Sequence, residues 1–281
     1  KFTSLDGKDY KFPDVFDPAF LKSLEEVVAH TARKTADDKW CLGYFIDNEL
    51  ATRNLTKAVM QQDSAGYGKK ELVKYLKSRY SSIDVFNKAF STNYETWASF
   101  AAQTDLPETA GKIIFYFDSV LTDTYYSACK RLLKRYAANK LYLGSRLDFH
   151  YYPDDTTRNL TVSLAARYCD VVSFNRYRFT SEELSLSDKL DKPVLIGEFH
   201  FGALDRGLPH PGLRSVRNQE QRAESYHSYL KQALLNPFLV GVHWFQYTDQ
   251  PFTGRGDGEN YQIGLVDVCD SPYPEMIKAL R

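Results

Sequence analysis

Two glutamates stand just past the ends of short apolar runs, where a carboxylate can be held for chemistry. Asp47-Asn48-Glu49 closes the run Trp40 to Ile46, and Glu198 follows Pro193 to Ile196 through Gly197. Carboxylates on different strands can face one cleft although they are far apart in sequence. Hydrolysis of a glycosidic bond with retention needs such a pair, about 5–5.5 Å apart: a protonated acid at the leaving oxygen and an ionised nucleophile at the anomeric carbon. A single strand-end Glu is more commonly a surface or salt-bridged carboxylate. Two in the same context, one of them preceded by Asn, favour the catalytic reading.

The elements that must position these residues alternate between helices and short apolar strands, the pattern of a parallel α/β architecture. Asp17-Pro18 reads as a helix N-cap with Pro at the first helical position, and Leu21, Leu24 and Val28 follow at helical spacing. Further helices are predicted over about 113–138, 160–168 and 218–235. Residues 69–100 read as two or three polar-rich helices, with Leu72 and Leu76 marking the first and Val85, Phe86 and Phe90 a later one. Five strands are predicted: Trp40 to Ile46, Leu141 to Leu147, Val171 to Phe174, Pro193 to Ile196 and Leu239 to Phe245. Polar residues follow them regularly, namely Asp47-Asn48-Glu49, Asp148-Phe149-His150, Asn175-Arg176-Tyr177, Glu198-Phe199-His200 and Trp244 with Gln246 and Asp249. In parallel barrels the chemistry collects at these carboxyl ends.

Composition narrows the classes. Lys+Arg and Asp+Glu balance at 36 each, which disfavours nucleic acid and anionic membrane surfaces as partners. No apolar run is long enough to span a bilayer. The four cysteines, Cys41, Cys129, Cys169 and Cys269, show no metal-ligand spacing and read as buried free thiols; no metal or cofactor is expected. Asn54-Leu-Thr56 and Asn159-Leu-Thr161 match a glycosylation sequon, a pattern short enough to arise by chance. Arg206, Arg214, Arg217 and Arg222 read as a solvated charge set flanking a helix, with a sulfate site as the alternative.

Asp-Asn-Glu after one apolar strand and Gly-Glu-Phe three strands later resemble the clan A glycoside hydrolases. Three longer stretches sharpen this: Gly43-Tyr-Phe-Ile-Asp-Asn-Glu-Leu50; Gly197-Glu-Phe-His-Phe-Gly-Ala-Leu-Asp-Arg-Gly207 with His210-Pro-Gly-Leu213; and Gly241-Val-His-Trp-Phe-Gln-Tyr-Thr-Asp-Gln-Pro251, continuing through Asp257-Gly-Glu-Asn-Tyr261 to Pro272-Tyr-Pro-Glu275. They resemble the β-agarases of glycoside hydrolase family 50, with Leu208-Pro209 as a local departure. Residues 75–98 are similar to the helical insertion of bacterial β-galactosidases of the clan.

The resemblance implies a (β/α)8 TIM barrel and a retaining, exo-acting β-agarase that cleaves β-1,4 bonds of agarose or neoagaro-oligosaccharides and releases neoagarobiose. It implies Glu49 as acid/base and Glu198 as nucleophile. Asn48 would bond the 2-hydroxyl of the reacting sugar, Tyr177 would bond the nucleophile, and Trp244 would floor the subsite. His150, Asn175, His200, His243 and Gln246 are candidate hydroxyl readers. A secreted or periplasmic location follows from the same resemblance. Alternatives are a hydrolase of porphyran or another β-galactoside, and a catalytically inactive carbohydrate-binding protein on the same fold.

In clan A the acid/base follows strand four and the nucleophile strand seven. The five predicted strands are then strands four to eight, and residues 1–281 are the C-terminal part of a barrel with an insertion at about 69–100. Only about forty residues precede the first strand, too few for three strand–helix units of roughly thirty residues each. Strands one to three are therefore expected on a separate N-terminal segment packed tightly against this chain.

Overall fold

Asp17 caps helix α1 (Pro18–Thr35) as the sequence predicts: its side chain accepts from the Ala19 N–H, with Pro18 beginning the helix. Arg33 and Lys34 occupy the last turn, where cations offset the helix dipole. The face that α1 buries is Phe20, Leu24, Val28 and Ala32, each four residues from the next. The computed structural model describes Leu5 and residues 12–148, 155–181 and 190–281. The chain divides into two compact units, one of Lys1–Gly144 with Phe149–Asp170, the other of Ser145–Asp148 with Val171–Arg281.

In the first unit, β1 (Gly43–Tyr44) pairs in parallel with β2 (Leu141–Tyr142). Flanking backbone bonds lengthen this pairing: Leu141 N–H donates to Leu42 O, Leu143 N–H to Tyr44 O, and Ile46 N–H to Gly144 O. The predicted strand from Trp40 is thus shorter, and Trp40 itself is 83% exposed. Helices α1, α2 (Leu55–Met60) and α7 (Asp155–Tyr168) pack on the long α6 (Gly111–Tyr136), whose buried face includes Phe117, Leu121, Tyr125 and Cys129. The predicted helical insertion holds three helices, α3 (Tyr67–Arg79), α4 (Ile83–Phe90) and α5 (Trp97–Ala101). Phe86 is their hub, in ring contact with Tyr80, Phe90, Tyr94, Trp97 and Phe100. Val85, on the opposite face of α4, is exposed. Lys69 anchors the insertion by donating from a buried ammonium to the carbonyls of Met60, Gln62 and Gln103.

In the second unit, β3 (Leu147–Asp148), β4 (Val172–Asn175), β5 (Val194–Phe199) and β6 (Leu239–Trp244) form one parallel sheet in that order. The central strand β5 is buried along its whole length, as expected of a strand in a parallel sheet with both faces covered. Helix α8 (Gln219–Leu235), capped by Asn218, packs against β6 and against α9 (Pro274–Ala279).

The structure corrects several sequence expectations. The predicted strand 141–147 is two strands, because Gly144 (φ 82°) and Arg146 (φ 47°) are left-handed and break the ladder between them. Helices α2 and α9 escape periodicity because each has only six residues. All four cysteines are free, but only Cys129 and Cys169 are buried; Cys269 is exposed in a turn closed by the Asp267 side chain. Arg222 is fully buried rather than solvated. Both sequon threonines are buried in internal bonds, Thr56 to Asp118 and Thr161 to Thr52.

Candidate active site

The end of β5 delivers Glu198 to a set of donors from neighbouring elements. Its backbone pairs with Asn175 at the end of β4. Tyr177, two residues past that end, donates its hydroxyl hydrogen to Glu198 Oε2 at 2.5 Å. Arg146, just before β3, places Nη1 3.0 Å from Glu198 Oε1. Both carboxylate oxygens therefore face donors, and the Glu198 side chain is only 8% exposed. A hydrogen-bonded, charge-paired carboxylate of this kind holds one orientation and offers itself as an acceptor. No motif or spacing marks Arg146 in advance. Its placement depends on a left-handed residue and on a contact across the sheet.

His200 follows on the same strand end and is buried. Its Nδ1 lies 3.1 Å from Phe245 O, and its Nε2 accepts the Leu213 N–H at 2.8 Å. Those partners make Nδ1 the protonated nitrogen. Burial pushes the imidazole down to about 3, only partly offset by the Phe245 carbonyl. With both nitrogens engaged by backbone, neither is free to read a sugar hydroxyl. The ring instead backs Tyr177, with centroids 4.7 Å apart.

Trp244, at the end of β6, is half-buried and donates its indole N–H to Ile263 O at 2.9 Å. It meets Phe199 edge-on at 5.2 Å and lies 5.5 Å from the guanidinium of Arg222. Arg222 is sandwiched between Trp244 and Tyr273, and donates to Phe201 O, Gln219 Oε1 and Gly264 O. Burial pushes it down to about 10, so it stays charged at neutral pH. His243 is exposed beside Trp244, and Gln246 donates from Nε2 to Thr248 O at 3.1 Å. Asn175 is buried at the end of β4.

In the other unit, the residues after β1 turn sharply. Asp47 (φ 61°) and Glu49 (φ 54°) are both left-handed, a rare conformation for Glu. Tyr125, fully buried on α6, donates its hydroxyl to Asp47 Oδ2 and fixes the turn from behind. Asn48 is exposed and Glu49 half-buried, while Leu50 is buried next to them. Non-glycine residues held in this region cost about 1–3 kcal/mol each and tend to cluster at functional sites. His150 lies outside the described residues.

No protein-family model matches the chain. It is 34% identical over 300 residues to beta-agarase B of Vibrio sp. (strain JT0107), an alignment covering 98% of this chain and 30% of that protein. Among solved structures, the agarase AgWH50C superposes with a TM-score of 0.89 at 32% identity, over 99% of this chain and 42% of that one. An exo-beta-agarase does so with a TM-score of 0.89 at 35% identity, over 99% and 40%. The chain thus spans between about three tenths and two fifths of the length of these relatives. Over that span, sequence and fold both match the agarase family of glycoside hydrolase family 50.

Proposed function

We propose that this chain carries both catalytic carboxylates of a retaining glycoside hydrolase that cleaves β-1,4-galactosidic bonds of agarose, acting from chain ends and releasing neoagarobiose. The observation that carries this is the paired hold of Tyr177 and Arg146 on Glu198 at a strand end, in a chain similar to a beta-agarase and an exo-beta-agarase. Glu198 attacks the anomeric carbon, and the glycosidic electron pair leaves with the departing oxygen, which Glu49 protonates. Water then gives a proton to Glu49 and attacks the same carbon, and the ester bond's electron pair returns to Glu198. Asn48 bonds the 2-hydroxyl, and Trp244 supports the sugar ring. Asn175, His243 and Gln246 are the remaining hydroxyl contacts. His200 acts through Tyr177, by packing.

The all-parallel pairing and intervening helices support assigning β1 to strand four, the interrupted β2 and β3 to strand five, and β4, β5 and β6 to strands six to eight of a (β/α)8 barrel. On this reading, strands one to three come from polypeptide beyond these residues. Agarose is a polymer too large to enter a cell intact, which supports a secreted or periplasmic site of action.

The test is product analysis after incubating the full-length protein with agarose and with porphyran. Neoagarobiose from agarose supports the reading, release from porphyran alone moves the substrate, and no release from either leaves a binding protein. Glu198→Gln abolishes turnover on every substrate. Glu49→Gln spares substrates whose leaving group needs no proton.

A further inference from the structure

The strand interruption at Gly144 to Arg146 has a local consequence at Glu198. Arg146 is left-handed, and its backbone N–H donates to the buried Ser173 Oγ on β4 at 3.0 Å. That turn sends the side chain past Gly197 to Glu198 Oε1. A Cβ at position 197 would lie 2.6 Å from Arg146 Cδ and 2.7 Å from Cγ, so the residue before Glu198 has no room for a side chain. Broken ladder, serine anchor and glycine together clear one path for one guanidinium.

We propose that Arg146 is a positioning residue that drives the second half of the reaction, by stabilising Glu198 as the departing carboxylate when the glycosyl-enzyme is hydrolysed. This rests on the reading of Glu198 as nucleophile. In the covalent intermediate the Glu198 oxygen is an ester and carries no charge, so the ion pair with Arg146 is lost. Hydrolysis breaks the C1–O bond, returns the electron pair to Glu198 and restores the pair. The guanidinium therefore favours the free carboxylate over the ester. It makes Glu198 a better leaving group and a weaker attacking one, so its removal should slow the second step far more than the first.

The test uses the full-length protein on agaro-oligosaccharides. Arg146→Ala is expected to lower kcat by about a hundredfold, the scale of losing one well-placed charged donor. KM is expected to fall with it, leaving kcat/KM within about tenfold of the parent, because a stalled glycosyl-enzyme drains free enzyme. Mass spectrometry of the quenched reaction should then find the glycosyl group on the peptide carrying Glu198. Arg146→Lys should recover part of kcat. Gly197→Ala, which displaces the guanidinium without removing its charge, should reproduce the split and covers the case in which Arg146→Ala does not fold. Equal losses in kcat and kcat/KM with no trapped intermediate would overturn the proposal. Turnover retained by Glu198→Gln would instead overturn the nucleophile reading beneath it.

Discussion

Tyr177 hands its hydroxyl hydrogen to Oε2 of Glu198 at 2.5 Å, from a strand end adjacent to the one that carries the glutamate. A hydrogen bond to a charged group contributes about 1.5–3 kcal/mol. Tyr177→Phe keeps the ring that packs on His200 and removes only the donor. Activity on agaro-oligosaccharides should fall roughly tenfold to a hundredfold by the same energy. Equal activity in the two proteins would mean the bond does not bear on turnover.

Acid should destabilise the fold through His200. Its folded value is pushed down to about 3, against about 6.5 for an unperturbed imidazole, so between those values the unfolded chain holds a proton that the folded chain refuses. The stability that the neutral ring allows is complete above pH 6.5 and declines as pH falls towards 3. The loss is on the order of 4 kcal/mol at the acid end. Thermal unfolding from pH 7 to 4 should therefore show a steeper decline for the parent than for His200→Asn. Parallel curves would count against it.

Arg222 should be structurally indispensable. It is fully buried, charged, and bonded to two backbone carbonyls and Gln219. Arg222→Ala strips those acceptors of their donors at once and opens a hole under Trp244. Denaturant unfolding should register a loss of about 3–5 kcal/mol, the usual effect of breaking a buried charged network. Arg222→Lys should recover little, because one ammonium cannot reproduce a planar fork stacked between two rings. A loss below 1 kcal/mol would contradict this account.

The helices and strand ends were legible for local reasons. Asp17-Pro18 is a cap whose chemistry lies within two residues, and Phe86 and Phe90 mark their helix by spacing. Glu49 and Glu198 stood out because each closes an apolar run. Arg146 and Arg222 did not, because their partners lie far away in sequence: Glu198 for one, Phe201 and Gly264 for the other. Nothing in a linear pattern separates a buried, bonded arginine from a solvated one. His200 shows the reverse error. Its position suggested a hydroxyl reader, but backbone at Leu213 and Phe245, brought in by loops, engages both nitrogens. The break at Gly144 to Arg146 was hidden because Leu141 to Leu147 is apolar enough to read as one strand.

The central claim is double displacement through Glu198, and the configuration of the first product tests it most directly. Proton NMR of the full-length protein acting on agaro-oligosaccharides, recorded before mutarotation, reads the anomeric signal of the new reducing-end galactose. Two inversions at that carbon predict the β-anomer first, with the α-anomer growing in later at the rate of spontaneous mutarotation. The α-anomer appearing first would mean a single inversion by water, and would remove Glu198 from the role of nucleophile.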